Sequence, residues 1–429
     1  MTKKNIGKYL LCFFELAFFL FIFLNLFNRT RLQSLDLDEI VWVHDTNVYN
    51  QRINNNWSYF KWEDLNVRIP WSSHDFRLFD QPHLVKYIYG SIFKLNKIDI
   101  WSDKSQELRN YSYFVEGGKK DSKVGLNFEI NSQELTSQLS EEVVSAIKIA
   151  RLTSAVFALL FLITLFYFIK KEANFFTALI SLVFIYFNEI FIWNSPLANA
   201  DNISNFFILL ASICFYYLFW KGDLIKGKLR FFLYFSSAIF TSFAMGSKIN
   251  GLILLYLFVI FKIIDLIFTK KTKILKSLYE LIFWLLLVLV NYLYLQPELG
   301  SQYLVGFYKF ISQRVEQQTR FYNVSGSLDL FSYISLVIKR YLGDNLNIFF
   351  LFKLVTIIIG LPYFFKKILI NARSSRNKIL NFFTFLLTFI LIFSYARVGF
   401  ERYLVIPIIL LILTSVRGFT LIISEKLFK

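Results

Sequence analysis

Residues 145–171 read SAIKIARLTSAVFALLFLITLFYFIKK, and this stretch decides the fold. From Leu152 to Ile169 no residue is charged, and the run closes on Lys170 and Lys171. About twenty apolar residues in a helix cross the ~30 Å hydrocarbon core of a bilayer, so the stretch predicts a membrane span with a basic collar. Working outward, comparable runs occupy 9–27, 174–193, 202–220, 231–246, 249–268, 278–296, 346–365, 379–396 and 402–423. With 145–169 they predict an all-α polytopic membrane protein of about ten spans. Basic clusters follow every second run: Lys170 and Lys171; Lys221, Lys226, Lys228 and Arg230; Lys270, Lys271, Lys273 and Lys276; Lys366, Lys367, Arg373, Arg376 and Lys378; Lys426 and Lys429. Short basic loops stay on the cytoplasmic side. The alternation therefore predicts a multi-pass protein of the cell membrane with both termini in the cytoplasm. The first run is followed by Asn28-Arg29-Thr30-Arg31 without a small-residue cleavage pattern, which reads as an uncleaved span.

The composition agrees. Of 429 residues, 56% are hydrophobic and 18% charged, and mean hydropathy is +0.49. Soluble domains carry about 25% charge, so an ordinary soluble globule and a disordered chain are both excluded. The net charge of +17 sits mostly in the short basic loops, which argues for membrane orientation and against a nucleic-acid partner. Cys12 and Cys214 both fall in apolar runs and suggest neither a disulfide framework nor a thiolate metal site.

The chain reads as a single integral membrane domain, 1–429, with two long polar segments on the outer side. The first, 29–142, holds five of the eight tryptophans. Within it Leu84, Ile88, Ile92 and Leu95 recur at helical spacing, with Lys86, Lys94 and Lys97 off the stripe, which predicts an interfacial helix near 82–98. The second, 297–345, contains Leu330–Leu342, a further interfacial helix or a short extra span.

The polar residues of unusual placement collect on that outer side. Asp36, Asp38 and Glu39 follow the first span, with His44 and Asp45 close behind. Acids beside a membrane surface suit general-base chemistry, one carboxylate taking a proton while another orients the acceptor; they also suit a solvated turn. Next come Asp80, Pro82, His83 and Lys86. Pro82 can open the helix, Asp80 lies near its positive end, and Lys86 one turn on can hold a phosphate or simply snorkel. Arg151 stands at the outer end of the second span, Asn188 and Glu189 at that of the third. Asn199 and Asp201 open the fourth, Asp201 as a candidate N-cap. Lys248 is a lone lysine in a tight outer turn, Gly246-Ser247-Lys248-Ile249-Asn250-Gly251. Arg397, Glu401 and Arg402 share another; two arginines there suit a phosphate or pyrophosphate, or an arginine pairs with Glu401. Lys262 and Asp265 read as a local pair, and Glu15 has no evident role. No phosphate-binding loop, dinucleotide fingerprint or nucleophile elbow occurs, so no cofactor is predicted. The histidines have no zinc spacing. A divalent cation at the outer Asp and His cluster is the one metal alternative.

Taken in order, these motifs resemble the GT-C superfamily of integral membrane glycosyltransferases, most closely the protein O-mannosyltransferases and the aminoarabinose transferases. The resemblance rests on Asp38-Glu39 after the first span, Phe79-Asp-Gln-Pro-His-Leu84 with Lys86-Tyr87, Ala150-Arg151-Leu152, Ala198 to Asp201, Gly246 to Leu252, and Glu401-Arg402-Tyr403 with Pro407. It departs from the family in having Pro82-His83 where a double proline is usual, and in lacking an added soluble domain. The resemblance implies a sugar donor carried on polyprenyl phosphate and a hydroxyl-bearing acceptor, with membrane lipids around both. Asp38 would be the catalytic base and Glu39 its partner toward substrate. Lys86, Arg151, Lys248 and Arg402 would face the donor phosphate, with Asp80, His83, Asp201 and Arg397 lining the site. The competing class is a lipid-linked glycan flippase or polytopic transporter. Such proteins favour charged sites near the bilayer midplane, often in two related halves, whereas here charge crowds one side and no halves are visible.

Overall fold

The computed structural model describes residues 3–33, 35, 37–60, 82–101, 139–221, 224–267, 274–297, 330–343, 348–370 and 404–427. Every regular element among them is helical. Among the described residues, seven helices are long and apolar enough to cross a membrane: Tyr9–Leu32 within α1 (Lys3–Leu32), α5 (Glu141–Glu172), α8 (Asp201–Phe219), α9 (Gly227–Ser247), α11 (Ile274–Leu295), the segment Ile348–Ile368 made of α13 (Ile348–Val355) and α14 (Leu361–Ile370) with a π-helical turn between, and Val405–Glu425 within α15 (Val405–Leu427). The polytopic all-α class is thereby established; the count of ten is not. The expected run 379–396 lies outside the described residues.

Two other expected runs are shorter than their hydropathy suggested. The run 174–193 breaks at Asn188. Its helix α6 spans only Phe175–Tyr186, opened by Asn174, whose side chain accepts the Thr177 N–H at 2.7 Å. Asn188 then caps a separate short helix α7 (Glu189–Asn194) by accepting from Ile190 and Phe191. Asparagine competes for backbone donors wherever a helix can stop, and an apolar tally does not register that. The run 249–268 yields α10 (Leu252–Ile267).

The long helices form two apolar clusters. In one, Phe19, Ile22 and Leu26 of α1 meet Leu162, Leu165 and Phe166 of α5, Leu182 and Ile185 of α6, and Ile408, Ile412 and Val416 of α15. In the other, Phe215 and Phe219 of α8 pack on Phe258 of α10 and Trp284 of α11, whose rings stack at 3.7 Å. Away from these contacts α1 exposes Leu10, Phe13, Leu16, Leu20 and Leu24. At about 25 cal/mol per Å² such a face would be costly in water, and it belongs in lipid. Helix α12 (Leu330–Leu342) has 13 residues, too few to cross at about 1.5 Å each. It buries Tyr333, Val337 and Tyr341 against α15 and its neighbours.

A third cluster closes one end of the bundle, called here the site end. It joins α2 (Leu37–His44), through Ile40, Trp42 and Val43, to α4 (Leu84–Leu95), through Val85, Tyr89 and Phe93. The first turns of α5 (Val143, Ala146, Ile147, Ala150) and the turn around Ala198 and Ala200 complete it. The buried face of α4 is not the expected stripe. Leu84, Val85, Lys86, Tyr89, Gly90 and Phe93 are buried while Leu95 is 81% exposed. Lys86 therefore points into the protein, because its helix packs on α2, α5 and α3 (Asn47–Ile53).

Candidate active site

Asp38 and Glu39 occupy the first turn of α2. The Glu39 side chain is fully buried, and its oxygens are consumed by a single arrangement. Arg151 donates from Nε to Oε1 at 2.8 Å and from Nη2 to Oε2 at 2.5 Å, a bidentate pair. The Ala198 N–H also donates to Oε1, at 2.8 Å. Arg151 spends its remaining terminal nitrogen on the carbonyls of Thr30 at 3.2 Å and Gln33 at 2.8 Å. One carboxylate thus ties together the end of α1, the start of α2, the body of α5 and the turn before α8. A charge buried this completely needs such a set of partners.

That turn is held from within. Asn199 Nδ2 donates to Asn194 Oδ1 at 2.9 Å, and Asn202 Nδ2 donates to Ser154 Oγ at 2.8 Å and to the Ser195 carbonyl at 3.0 Å. Asp201 is the first helical residue of α8 rather than its cap; its own N–H donates to Asn199 Oδ1 at 3.0 Å. This leaves the Asp201 carboxylate to accept from Lys248 Nζ. Lys248 caps the C-terminus of α9 in extended conformation, φ −155° and ψ 142°. The chain can double back beyond it because residue 251 is glycine: a Cβ there would lie 2.3 Å from the Met245 nitrogen.

Lys86, wholly buried, lies 3.5 Å from Asp45, whose other oxygen is 3.4 Å from His44 Nδ1. His83, also buried, precedes α4, with Nδ1 3.4 Å from the Tyr87 hydroxyl. Tyr89 reaches from the same helix to donate to the Asn199 carbonyl at 2.9 Å. Burial raises the Tyr89 pKa well above the usual phenol range, a hydrogen bond with Ser154 works the other way, and the nearby Glu39 and Asp201 charges raise it further. Tyr89 is therefore a fixed, protonated donor.

The structure brings Glu39, Arg151, Asp201, Lys248, Lys86 and His83 to one end of the bundle, and places Asp38 in the helix that Glu39 anchors. Asp36, Asp80, Arg397 and Arg402 lie outside the described residues, and the side chain of Asp38 is not described. Among the described residues no group of three or more His, Cys, Asp or Glu stands ready to hold a metal ion. Sequence reading missed Asp45 as the partner of Lys86, and the whole Glu39–Arg151–Ala198 tie. Its members are 112 and 159 residues apart, and no local spacing rule reaches that far. At the opposite end, Glu15 accepts from Lys170 at 2.5 Å and from Tyr167 at 3.4 Å. Lys262 lies 3.8 Å from Asp265 as expected, but its nearer partner is Glu280 at 2.6 Å.

No curated protein and no solved structure matches the chain. Residues 125–311, the stretch that contains Arg151, Asp201 and Lys248, match the family described as dolichyl-phosphate-mannose-protein mannosyltransferase, a match consistent with the GT-C mannosyltransferase resemblance of the motifs.

Proposed function

We propose that this membrane glycosyltransferase moves a sugar from a polyprenyl-phosphate donor to a hydroxyl acceptor at the outer membrane face, with inversion at the anomeric carbon and Asp38 as base. The description of the matched family names dolichyl-phosphate mannose and protein, so a hexose donor and a protein hydroxyl are the first substrates to try. One observation carries the reading. Both oxygens of Glu39 are engaged by Arg151 and one of them also by the Ala198 amide, which pins α2 at its first turn and with it the backbone of Asp38. The acid next in sequence to the proposed base is then a positioning residue, and the base role is assigned in this proposal to Asp38.

The step balances simply. Asp38 takes the proton of the acceptor hydroxyl, and that oxygen bonds to the anomeric carbon from the face opposite the phosphate. The bond from carbon to phosphate oxygen breaks, and the phosphate leaves with the electron pair. Lys248, already aimed by Asp201 at the site end, stabilises the charge that grows on it, a role the motif resemblance also gives to Arg402. A prenyl chain stays in lipid while its phosphate sits at the surface, so no nucleotide pocket is needed.

The test is transfer by purified protein from a panel of radiolabelled polyprenyl-phosphate sugars, with wild type and Asp38→Asn compared per folded molecule. Asparagine keeps the size but accepts no proton, so turnover should fall by about 10²–10⁴, the usual worth of a positioned base. Near-normal turnover removes Asp38 as base and points to Asp36, Asp45 or Asp80. Absence of transfer by wild type from every donor removes the transferase reading.

A further inference from the structure

The cations nominated above that fall among the described residues each face an acid of the protein itself: Lys86 meets Asp45, Arg151 meets Glu39 and Lys248 meets Asp201. Arg52, which sequence reading passed over, is held differently. Its guanidinium lies over the Tyr87 ring at 4.7 Å and over the Tyr294 ring at 4.4 Å. Among the described residues this side chain has no carboxylate partner and no hydrogen bond, although it is only partly buried.

The clamp is built in. Helix α3 lies flush on α4 because residue 90 is glycine: a Cβ there would sit 2.7 Å from Tyr49 Cβ and 2.8 Å from its ring. One turn beyond Tyr49, that close approach sets Arg52 against Tyr87, one turn before Gly90. Tyr294 supplies the second ring from the last turn of α11, whose Leu295 reaches the Gly246 end of α9 beside Leu84. Tyr294 is 71% exposed, so the clamp opens at the rim of the site end, on a helix that reads as a membrane span. Its other ring belongs to Tyr87, which faces His83 and is next in sequence to Lys86.

We propose that Arg52, clamped between Tyr87 and Tyr294, is a binding site for a lipid-borne phosphate. Ring contacts hold the guanidinium by its charge and engage none of its N–H donors as hydrogen bonds, and a guanidinium takes phosphate oxygens two at a time. The side-chain entropy of orienting it is already lost before the ligand arrives. An anion with an apolar chain fits a site whose far wall is an exposed tyrosine at the end of an apolar helix. The phosphate belongs either to the sugar donor, in which case the inference rests on the transferase reading, or to a phospholipid of the bilayer.

The experiment uses the whole protein in maltoside micelles, free of phospholipid, titrated with farnesyl phosphate and separately with short-chain phosphatidylglycerol. Arg52→Ala should weaken farnesyl phosphate about tenfold or more, the order expected for one charge-assisted pair of bonds. Arg52→Lys should also weaken it, because a lysine keeps the charge and loses the fork. Tyr294→Leu, at an exposed position, should weaken it several-fold and decides the matter if Arg52→Ala does not fold. The unliganded unfolding midpoint of Tyr294→Leu should stay at that of wild type. If instead farnesyl phosphate is unaffected and phosphatidylglycerol binding falls, the site stands and its ligand is a bilayer lipid. Wild-type affinity for both ligands in Arg52→Ala and Tyr294→Leu overturns the inference. Sugar transfer by wild type, measured in parallel, separates the two claims: transfer with ligand binding indifferent to Arg52 sinks this site alone, and the absence of transfer sinks the transferase reading alone.

Discussion

Removing Glu39 should unlock the site and destabilise the protein together, and the amounts can be worked from its contacts. Glu39→Ala deletes two charge-assisted bonds from Arg151 and one from the Ala198 amide. It leaves a guanidinium only 6% exposed that still meets the Thr30 and Gln33 carbonyls. Breaking a buried pair from one side costs about 3–5 kcal/mol, most of it the desolvated charge left behind. The two carbonyls keep the expected loss near the lower end, about 3 kcal/mol. Arg151→Ala takes the guanidinium from the buried Glu39 carboxylate, and about 4 kcal/mol is expected. The double variant buries neither charge, so it should cost roughly what one single variant costs, a coupling of about 3 kcal/mol. The assay is equilibrium unfolding in mixed micelles, with a denaturing detergent raised stepwise, for wild type, both singles and the double. Transfer rate per folded molecule is read on the same samples. Turnover of both singles should fall by about 10² or more, since a misplacement of 1 Å from a distant change can cost that much. Additivity of the two singles within about 0.5 kcal/mol would refute the argument that the pair is one energetic unit anchoring α2.

Three further outcomes are expected. Lys248→Ala should raise the apparent KM for donor about tenfold, the worth of about 1.5–3 kcal/mol for a charged contact, with kcat less affected; unchanged donor kinetics would leave Lys248 as a partner of Asp201 and nothing more. Glu280→Ala should destabilise the fold by about 3 kcal/mol without changing donor affinity, because it takes from the fully buried Lys262 its nearest carboxylate, far from the site end; a loss of donor affinity with stability intact would contradict that. For orientation, a membrane-impermeant thiol reagent applied to intact cells should label Ser105→Cys and miss Ser375→Cys, and the reverse pattern would place the site end in the cytoplasm.

The span pattern was legible because a bilayer imposes one crude requirement, about twenty apolar residues per crossing. Residues 145–169 and 202–220 met it and became α5 and α8. It misread 174–193, where Asn188 supplies a cap that an average over the window hides. The stripe chosen for α4 was misread for a related reason. Leu84, Ile88 and Leu95 are apolar, yet the helix turns Val85, Lys86, Tyr89 and Gly90 inward, since Gly90 admits the Tyr49 ring and Asp45 waits for Lys86. Hydropathy scores a lysine as an outward residue and does not see the acid it will meet.

Sequence alone determined the class of the molecule, its apolar helices, and the residue types gathered near one membrane face. Those follow from composition and local spacing, which the chain carries before it folds. It also carried motifs that resemble those of the GT-C family, in order, from Asp38-Glu39 to Lys248. Tertiary structure decided which charges answer one another: Glu39 with Arg151, Asp201 with Lys248, Asp45 with Lys86. It also decided that Arg52 meets two rings and, among the described residues, no acid. The reason is physical. A charge removed from water must find a partner wherever the packing of helices puts one, and that packing is set by side-chain shape across a hundred residues or more of chain, not by neighbours in sequence.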